Sequence, residues 1–376
     1  MPGNSNIIPE KTIERLSEYR RTLLACHRQG VTHIFSHVLA GMHGITAVQV
    51  RRDLMLIGFS SDTKKGYDVK VLIDFISNIL DSDTVTNIAV IGMGRYGGRE
   101  VNFSSDADVI IIYRPSDNAD DNQANLFARK VQEDLRAILQ GPTTLEPKIE
   151  LDMDLRPEGK NGPLVRSYAS CEEYYRSWAS TWEHQALLRA RYAAGDAALA
   201  EDFLMNVADP LRYPKIDLTE AQVAEIRKLK ARMEAERLPR GVRRDRHLKL
   251  GKGGLSDVEW TIQLLQLQHA GDNANLRVNG TMQALDELER RKLVSAGDAV
   301  VLRRAWWMCT AARNGSYLWS GRVNQADILP DDTYSLGGLA VYLGYDANRG
   351  QHFENDLLAV MRKARDVTER LFYGLS

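Results

Sequence analysis

The stretch that most constrains how this chain can fold runs from Ile88 to Tyr113, where two apolar segments flank a glycine-rich bend. Residues 88–91 and 109–113 are short, rich in β-branched side chains and bounded by turn-forming residues, which is typical of β-strands. The sequence S-S-D-A-D at 104–108 leads directly into the second segment. We therefore expect two strands joined by a loop that places two carboxylates beside a phosphate-sized bend.

A dinucleotide-binding site is the first interpretation to test, because Gly92, Gly94 and Gly97 match G-x-G-x-x-G. A Rossmann unit needs a helix after this loop and an acidic residue about 20 positions on, at the end of the next strand. Here the segment 99–105 alone separates Gly98 from Asp106, which is too short for a crossover helix. A Walker loop is excluded as well, because no G-K-[ST] closes the bend.

The bend nevertheless has the residue types that bind phosphate. Adjacent glycines let backbone N–H groups approach an anion, hydroxyl groups donate hydrogen bonds, and guanidinium groups neutralise phosphate oxygens. The predicted nucleotide-binding residues are accordingly Gly97, Gly98, Ser104, Ser105, Arg95 and Arg99. Taken alone, these residues would also fit a glycine-rich hairpin with solvated arginines. The neighbouring carboxylates are therefore the features that distinguish a phosphate-binding bend from such a hairpin.

Acidic residues occur in pairs on two predicted strands. Asp106 and Asp108 are two apart at the start of a strand, so both side chains face one side. Residues 148–155 (KIELDMDL) alternate strictly, which predicts another strand with Asp152 and Asp154 on one face. Alone, that second pair would fit solvent-facing acids. If the strands are neighbours, three or four carboxylates converge, and Mg²⁺ is the cation that suits such a cluster.

The rest of the chain is mostly helical. We expect a helical lead-in over residues 1–86 that packs on a core at 87–208, followed by a C-terminal helical bundle at 209–376. Within the core, the order strand, loop, strand, helix, strand predicts an α+β fold rather than an alternating parallel one.

Local patterns predict where several helices begin and what they bury. The patterns T-x-x-Q at 219–222 and S-x-x-E at 256–259 match capping boxes, which mark helix starts. Residues 172–193 are predicted to form one long helix. Its tryptophans Trp178 and Trp182 are four apart and are expected in the core rather than in a base-stacking site.

Composition argues against several classes of partner. The net charge of −1 gives no general attraction to nucleic acid or to acidic membranes, so neither is expected as a partner. The three cysteines form no C-x-x-C pair and indicate reduced thiols in a cytoplasmic protein. No apolar segment approaches the roughly 20 residues that a membrane-spanning helix needs.

Three further basic residues could contribute to a site. Arg156 could pair with a site acid or a phosphate, or form a structural salt bridge. Lys249 and Lys252 lie in the segment KLGKGGLSDVE (249–259) and could reach a phosphate, although its glycines could equally form a simple turn.

Three separated segments, in this order, resemble the bacterial glutamine synthetase adenylyltransferase/deadenylylase family: GMGRYGGREVNFSSDAD (92–108), LDMDLRPEGKNGPLV (151–165) and KLGKGGLSDVEW (249–260). Such a chain would be one catalytic half, most like the C-terminal, adenylylating half of actinobacterial members. The resemblance implies a DNA polymerase β-like nucleotidyltransferase core. It also implies that Asp106, Asp108 and Asp152 are the catalytic, Mg²⁺-binding residues, and it assigns no role to Asp154.

The activity implied by this resemblance is transfer of AMP from ATP to a tyrosine of glutamine synthetase, with release of pyrophosphate and control of nitrogen assimilation. Two alternatives stay open. The chain could be the half that removes AMP by phosphorolysis, or a catalytically silent half that binds nucleotide or a PII-type signalling protein. Glutamine synthetase is the expected partner, and a PII-type protein is a further candidate.

Overall fold

The structure is a computed structural model that describes residues 9–60, 65–80, 86–116, 119–141, 148–238, 241–346 and 348–375. The chain divides into two compact units, Met1–Thr84 and Val85–Ser376. The domain boundary expected at residue 86, the docking of the lead-in on the core, and the division between core and bundle near residue 208 stay predictions.

Helices dominate the first unit, as the sequence predicted for this segment. They are α1 (Glu10–Arg28), α2 (Ser36–Met42), α3 (Ala47–Leu56) and α4 (Val69–Leu80), and a short antiparallel pair joins β1 (His33–Ile34) to β2 (Tyr67–Asp68). Asp53 is buried among apolar side chains. Its carboxylate accepts hydrogen bonds from Arg15 at 2.7 Å and from the Tyr19 hydroxyl at 2.9 Å, so the buried charge is paired.

A mixed sheet forms the centre of the second unit. Its strands are β3 (Thr86–Gly92), β4 (Ala107–Pro115), β5 (Leu151–Asp152), β6 (Val165–Ser167) and β7 (Arg191–Gly195). β3 lies between β4 and β7 and is antiparallel to both, while β5 and β6 run parallel to β4 along its other edge. The two strands predicted from the sequence are therefore confirmed, and they are direct neighbours with Ile91 opposite Ile110.

Helices cover this sheet and continue as a bundle. They are α5 (Gly94–Gly97), α6 (Asp121–Leu139), α7 (Tyr168–Ser177), α8 (Thr181–Leu187), α9 (Ala197–Phe203), α10 (Asp209–Arg212), α11 (Glu220–Glu236), α12 (Leu255–His269), α13 (Thr281–Arg290), α14 (Ala296–Ser320), α15 (Val323–Ala326), α16 (Thr333–Tyr342) and α17 (Gly350–Thr368). Short 3₁₀ or π turns occur at Gly159–Asn161, Leu204–Ala208, Arg244–Arg246, Ala274–Leu276 and Glu369–Tyr373. Buried side chains of α12, α13, α14 and α17 share one apolar core. The mixture of sheet and helices confirms the α+β class.

The strand predicted over residues 148–155 is much shorter than its alternating pattern suggested. Only Leu151–Asp152 pairs with β4. The backbone N–H of Asp154 donates to the Asp152 carboxylate at 2.7 Å, which turns the chain away from the sheet. Asp154 therefore leaves the strand face that it was predicted to share with Asp152.

The single long helix predicted over residues 172–193 is wrong. Ser180 and Glu183 form a capping box that starts α8 after α7 has ended, and the chain then enters β7 on the open edge of β3. Trp178, expected in the core, lies at the break between the helices and is 75% exposed. The apolar side chains keep a helical spacing across residues 172–193, which suggested one helix. The capping box at Ser180 and Glu183 nevertheless starts a second helix within this segment.

The two predicted capping boxes have opposite outcomes. The box at 219–222 is confirmed, because the Thr219 side chain accepts from the Gln222 N–H and Gln222 bonds back to Thr219. The box at 256–259 is wrong, because Gly254 is the N-cap of α12 and Ser256 lies one residue inside the helix. The Glu259 side chain is thus available for a contact elsewhere.

No helix in the described part of the chain combines the length and apolar composition needed to cross a lipid bilayer.

A buried ion-pair cluster stabilises the junction of α11, α12 and α17. Asp257 is fully buried, and its carboxylate accepts from Lys230 at 2.5 Å, from Arg365 at 3.2 Å and from the Gly253 N–H at 2.7 Å. We expect Lys230→Met to lower the free energy of unfolding by about 3–5 kcal/mol, because it leaves part of a buried charge uncompensated.

The measurement is urea unfolding of both proteins. Lys228→Met, at an exposed position on the same helix, is the control and should change stability by less than about 0.5 kcal/mol. Equal effects of the two substitutions would contradict a special role for the Lys230–Asp257 pair.

Candidate functional site

Two strands deliver three carboxylates to one point. Asp106 immediately precedes β4, Asp108 is the second residue of that strand, and the parallel register sets Asp152 of β5 beside Asp108. One carboxylate oxygen from each residue lies within 4.8 Å of the other two. The structure thus brings together the three residues predicted to be catalytic and metal-binding, while those roles stay predictions.

The electrostatics of the cluster favour a bound cation. Burial, and after it the negative charges of Asp106 and Asp152, raise the pKa of the Asp108 carboxyl to about 7, although the Lys249 ammonium and the Arg95 backbone N–H act to lower it. A divalent cation among the three carboxylates would relieve their repulsion and displace the proton. Three carboxylate oxygens are hard donors of the kind that Mg²⁺ takes, so the residues fit that ion.

Gly94 is the glycine of the bend that shapes the cluster. Its φ is +49°, and a Cβ at this position would lie 2.1 Å from a carboxylate oxygen of Asp108. The Met93 N–H donates to the Asp108 carbonyl at 2.8 Å, which holds the bend against the start of β4. Only glycine can bring the backbone this close to the Asp108 carboxylate.

The carboxylates line a cavity of about 520 Å³. Its charged lining comes from both the sheet region and the helical bundle, and consists of Asp106, Asp108, Asp152, Asp154, Glu259, Asp327, Arg95, Arg189, Arg237, Lys249 and Arg313. Ser104 and Ser105 also line it. The Ser105 hydroxyl accepts from the Asn102 N–H at 2.9 Å, whereas the buried Ser104 hydroxyl has no hydrogen-bond partner among the described residues. A cavity of this size and charge suits a small polar ligand with anionic groups.

Gly97, Gly98 and Arg99 do not line this cavity. A Cβ at Gly97 would lie 2.1 Å from the Arg189 carbonyl oxygen, and one at Gly98 would lie 2.7 Å from the Arg189 guanidinium. Arg99 is exposed. In the structure, the paired glycines make room for Arg189, so a contact of these three residues with nucleotide stays a prediction without geometric support.

Arg189 joins the sheet to the bundle. Its guanidinium donates to the Asn279 carbonyl and the Thr281 hydroxyl and lies 3.1 Å from the Glu100 carboxylate. Glu100 in turn accepts from the Thr281 hydroxyl at 2.7 Å. This junction fixes where the bundle stands relative to the carboxylates.

The three further basic residues predicted for the site, Lys249, Lys252 and Arg156, have different locations in the structure. Lys249 lines the cavity and lowers the pKa of Asp108. Lys252 instead lines a different pocket, with Arg243 and Arg362. Arg156 is buried and donates to the carbonyl oxygens of residues 153, 160 and 162, so its role in the structure is to hold the loop after β5.

Several cavity residues were not found by sequence reasoning. Glu259 pairs with Arg95 at 2.9 Å, and the Arg95 guanidinium lies 5.2 Å from the centre of the Trp306 ring. Arg313 of α14 pairs with Asp327. The S-x-x-E pattern hid the role of Glu259, and nothing in the spacing of Arg313 connects it to residues more than a hundred positions earlier.

A second pocket of about 360 Å³ adjoins the first and shares Gly94, Leu155, Trp182, Arg189, Arg237 and Gln263 with it. Its remaining lining is largely apolar and includes Leu229, Met233 and Trp260. The expectation that Trp182 lies in the core is therefore wrong, because its ring lines both pockets.

The raised pKa of Asp108 predicts how stability depends on pH without metal. The folded value of about 7 lies above the unfolded value of about 3.9, so the stabilising protonation is complete below pH 4 and is lost as the pH rises through 7. We expect Asp108→Asn to stabilise the chelator-treated protein at pH 8 by on the order of 1 kcal/mol, and much less at pH 5.

Thermal unfolding at both pH values, with and without Mg²⁺, measures this effect. Asp134→Asn, which removes an exposed i,i+4 pair with Lys130, should show no such pH-dependent gain. Added Mg²⁺ should stabilise the unsubstituted chain more than Asp108→Asn, and a destabilised Asp108→Asn protein at pH 8 would contradict the expected repulsion.

The close approach of Gly94 to Asp108 predicts a second substitution effect. Gly94→Ala should displace the Asp108 carboxylate and weaken Mg²⁺ binding at least about tenfold, beyond the roughly 1–2 kcal/mol that a left-handed alanine costs anyway. Gly321→Ala is the control, because Gly321 has a φ of +64° and open space around it. Titration calorimetry with Mg²⁺ compares them, and equal cation affinities would show that the Gly94 contact is unimportant.

The segment that carries the three carboxylates matches a known family model. Residues 71–206, which carry the three carboxylates, match the model for glutamate-ammonia ligase adenylyltransferase. Residues 224–372 match the model for GlnD PII-uridylyltransferase. Residues 7–54 match a model described as a DNA-binding protein N-terminus, and the expectation of no nucleic-acid partner stays a prediction.

Curated relatives share most of this chain. Bifunctional glutamine synthetase adenylyltransferase/adenylyl-removing enzymes are 82% identical over 287 residues in Bifidobacterium longum strain DJO10A, 46% over 289 residues in Streptomyces avermitilis and 44% over 298 residues in Mycolicibacterium smegmatis. These matches cover 76–79% of this chain but only 27–29% of the relatives' own length. The resemblance found in the motifs is confirmed, since residues 71–206 match the glutamate-ammonia ligase adenylyltransferase model and the relatives carry the corresponding name.

Proposed function

We propose that this chain is a nucleotidyltransferase that moves AMP from ATP to a tyrosine of glutamine synthetase, releasing pyrophosphate and so regulating nitrogen assimilation. The observation that carries the proposal is the convergence of Asp106, Asp108 and Asp152 in a cavity rich in basic side chains. The names of the relatives supply the transferred group and the acceptor protein.

The proposed fold of the core is that of the DNA polymerase β-like nucleotidyltransferases. It is supported by two antiparallel strands, β3 and β4, joined through a glycine-rich bend, with two carboxylates at the start of β4 and a third on the parallel neighbour β5. The three cysteines are buried free thiols, which supports a cytoplasmic location for the reaction.

The two adjoining pockets suggest how ATP would lie. Its phosphates would face the carboxylates and the basic side chains of Arg95 and Lys249. Its base would enter the apolar pocket, where Trp182 and Trp260 offer aromatic surfaces. Mg²⁺, when bound by Asp106, Asp108 and Asp152, would neutralise charge on the phosphates.

The chain's own residues would then position the reacting groups. The tyrosine oxygen of the acceptor forms a bond to the α-phosphorus and loses its proton, while pyrophosphate leaves with the electron pair of the broken bond. Asp152 would assist this deprotonation or hold the metal. Lys249 and Arg95 would orient the phosphates, so that catalysis comes mainly from placement and charge stabilisation.

A second candidate reaction is removal of AMP from glutamine synthetase by phosphorolysis. The relatives' names include an adenylyl-removing activity, and the same cavity would accept inorganic phosphate. A link to a PII-type protein, as a bound regulator of this chain, is favoured by the match of residues 224–372 to the PII-uridylyltransferase model.

The test uses glutamine synthetase of Bifidobacterium longum, the source of the 82% identical relative. Unmodified enzyme is incubated with the chain, Mg²⁺ and ATP, and adenylylated enzyme with the chain, Mg²⁺ and phosphate. Intact-protein mass spectrometry then follows gain or loss of AMP. Asp106→Asn together with Asp108→Asn should lower the rate by about 10³-fold or more, because the charges that hold the cation are removed.

Asp134→Asn on α6 is the matched control and should keep the full rate. Gain of AMP with ATP identifies the adenylylating direction, and loss of AMP with phosphate identifies the reverse. Full transfer by the double variant, or no transfer in either direction by the unsubstituted chain, would overturn the proposed function.

A further inference from the structure

Two buried guanidinium groups line the same cavity as the carboxylates and come from different parts of the chain. Arg95 lies on α5, directly after β3, and Arg313 lies on α14 in the bundle. Their side chains are only 11% and 4% exposed. Burial lowers the pKa of Arg313, and the positive charge of Arg95 lowers it further, so the two like charges are close enough to repel.

The acidic partners of this pair leave much of its bonding capacity unused. Glu259 lies 2.9 Å from Nη2 of Arg95, but the two groups are not aligned for a hydrogen bond. The Nε–H of Arg313 donates a hydrogen bond to the Asp327 carboxylate. Both Nη atoms of Arg95 and Nη1 of Arg313 are buried and have no hydrogen-bond acceptor anywhere in the described ranges.

Burying a charged N–H donor without a hydrogen-bond acceptor costs free energy, so the nitrogens of Arg95 and Arg313 that no described residue satisfies indicate a binding role. Buried guanidinium N–H groups almost always bond to an acceptor, since each loses its hydration on burial. Three such nitrogens on two like-charged groups that line one cavity would be satisfied together by a multidentate anion. Phosphate oxygens match guanidinium forks in geometry and charge, whereas a single carboxylate would satisfy only one fork.

We propose that Arg95 and Arg313 together form a phosphate-anion subsite beside the three carboxylates. This inference rests on the proposed function for its ligand, which is the pyrophosphate end of ATP or, in the reverse direction, inorganic phosphate. The buried hydroxyl of Ser104, which lines the same cavity and has no hydrogen-bond partner in the described part of the chain, is a further donor to it.

The subsite has a defined part in the transfer. When the bond between the α-phosphorus and the bridging oxygen breaks, the electron pair goes to pyrophosphate, and the guanidinium pair stabilises the charge that develops there. In the opposite direction, an oxygen of phosphate held by the pair forms a bond to the phosphorus of the AMP–tyrosine. The bond from that phosphorus to the tyrosine oxygen breaks, the oxygen takes the electron pair and the proton released by the phosphate, and ADP and free tyrosine result. The bundle thereby supplies half of the leaving-group site.

The experiment measures binding of inorganic pyrophosphate and of inorganic phosphate, each alone, to the full chain by titration calorimetry. Arg313→Met should weaken pyrophosphate binding about 10- to 100-fold, and Arg313→Lys, which keeps the charge but not the fork, should weaken it less. Arg303→Met is the control. Arg303 lies on the same helix and pairs with Asp286 and Glu289 outside the cavity, so its loss should leave binding unchanged.

The outcomes separate this subsite from the proposed function. Tighter binding of pyrophosphate than phosphate identifies a leaving-group site, and the opposite preference identifies a site for attacking phosphate. Arg313-dependent anion binding without any AMP transfer would support the subsite and reject the proposed function. Unchanged anion affinity in folded Arg313→Met overturns the subsite. Should that variant fail to fold, unchanged affinity and unchanged pyrophosphate inhibition of AMP transfer in Arg313→Lys overturn it.

Discussion

The electrostatic repulsion among Asp106, Asp108 and Asp152 is the constraint that determines what the cavity in the second unit can bind. Three carboxylate oxygens within 4.8 Å of one another are unfavourable without a counter-charge. The parallel register of β4 and β5 nevertheless holds them there, since Asp108 and Asp152 are opposite each other in the sheet. The proton that Asp108 retains up to about pH 7, together with the nearby Lys249 ammonium, partly compensates this repulsion.

The same cavity also holds positively charged guanidinium groups. Arg95 and Arg313 are buried without enough acceptors, as the carboxylates are gathered without enough cations. The two defects complement each other, because a metal-bound polyphosphate supplies cations to the acids and oxygens to the guanidinium groups. A cavity whose described residues offer too few cations to its carboxylates and too few acceptors to its guanidinium groups fits a ligand that carries both a metal ion and phosphate oxygens. The two clusters together therefore indicate metal–nucleotide chemistry more strongly than either cluster alone.

Sequence reasoning brought the acids together, whereas the nucleotide contacts expected of the glycines stay predictions. The alternation along β4 follows from local pattern, so the shared face of Asp106 and Asp108 could be predicted. The pairing of β4 with β5 was only a condition, and Asp152 was assigned through the family resemblance. Gly97 and Gly98 match a phosphate motif, but the neighbour that requires them is Arg189, which lies about ninety residues away in sequence. Glu259 likewise matches a capping box, while its partner Arg95 is set by tertiary packing. Local patterns identify residue types; long-range contacts decide which of them meet.

The junction at Arg189 explains why the sheet and the bundle cannot be assigned separate tasks. Arg189, Glu100 and Thr281 contact one another and join the sheet to the start of α13. Arg313 of the next helix, α14, lines the cavity. The carboxylates lie within residues 71–206, matched by the adenylyltransferase model, whereas Arg313 lies within residues 224–372, matched by the uridylyltransferase model. Neither segment alone contains the complete cavity lining. The cavity is therefore formed by the sheet together with the bundle, which are joined at the buried Arg189.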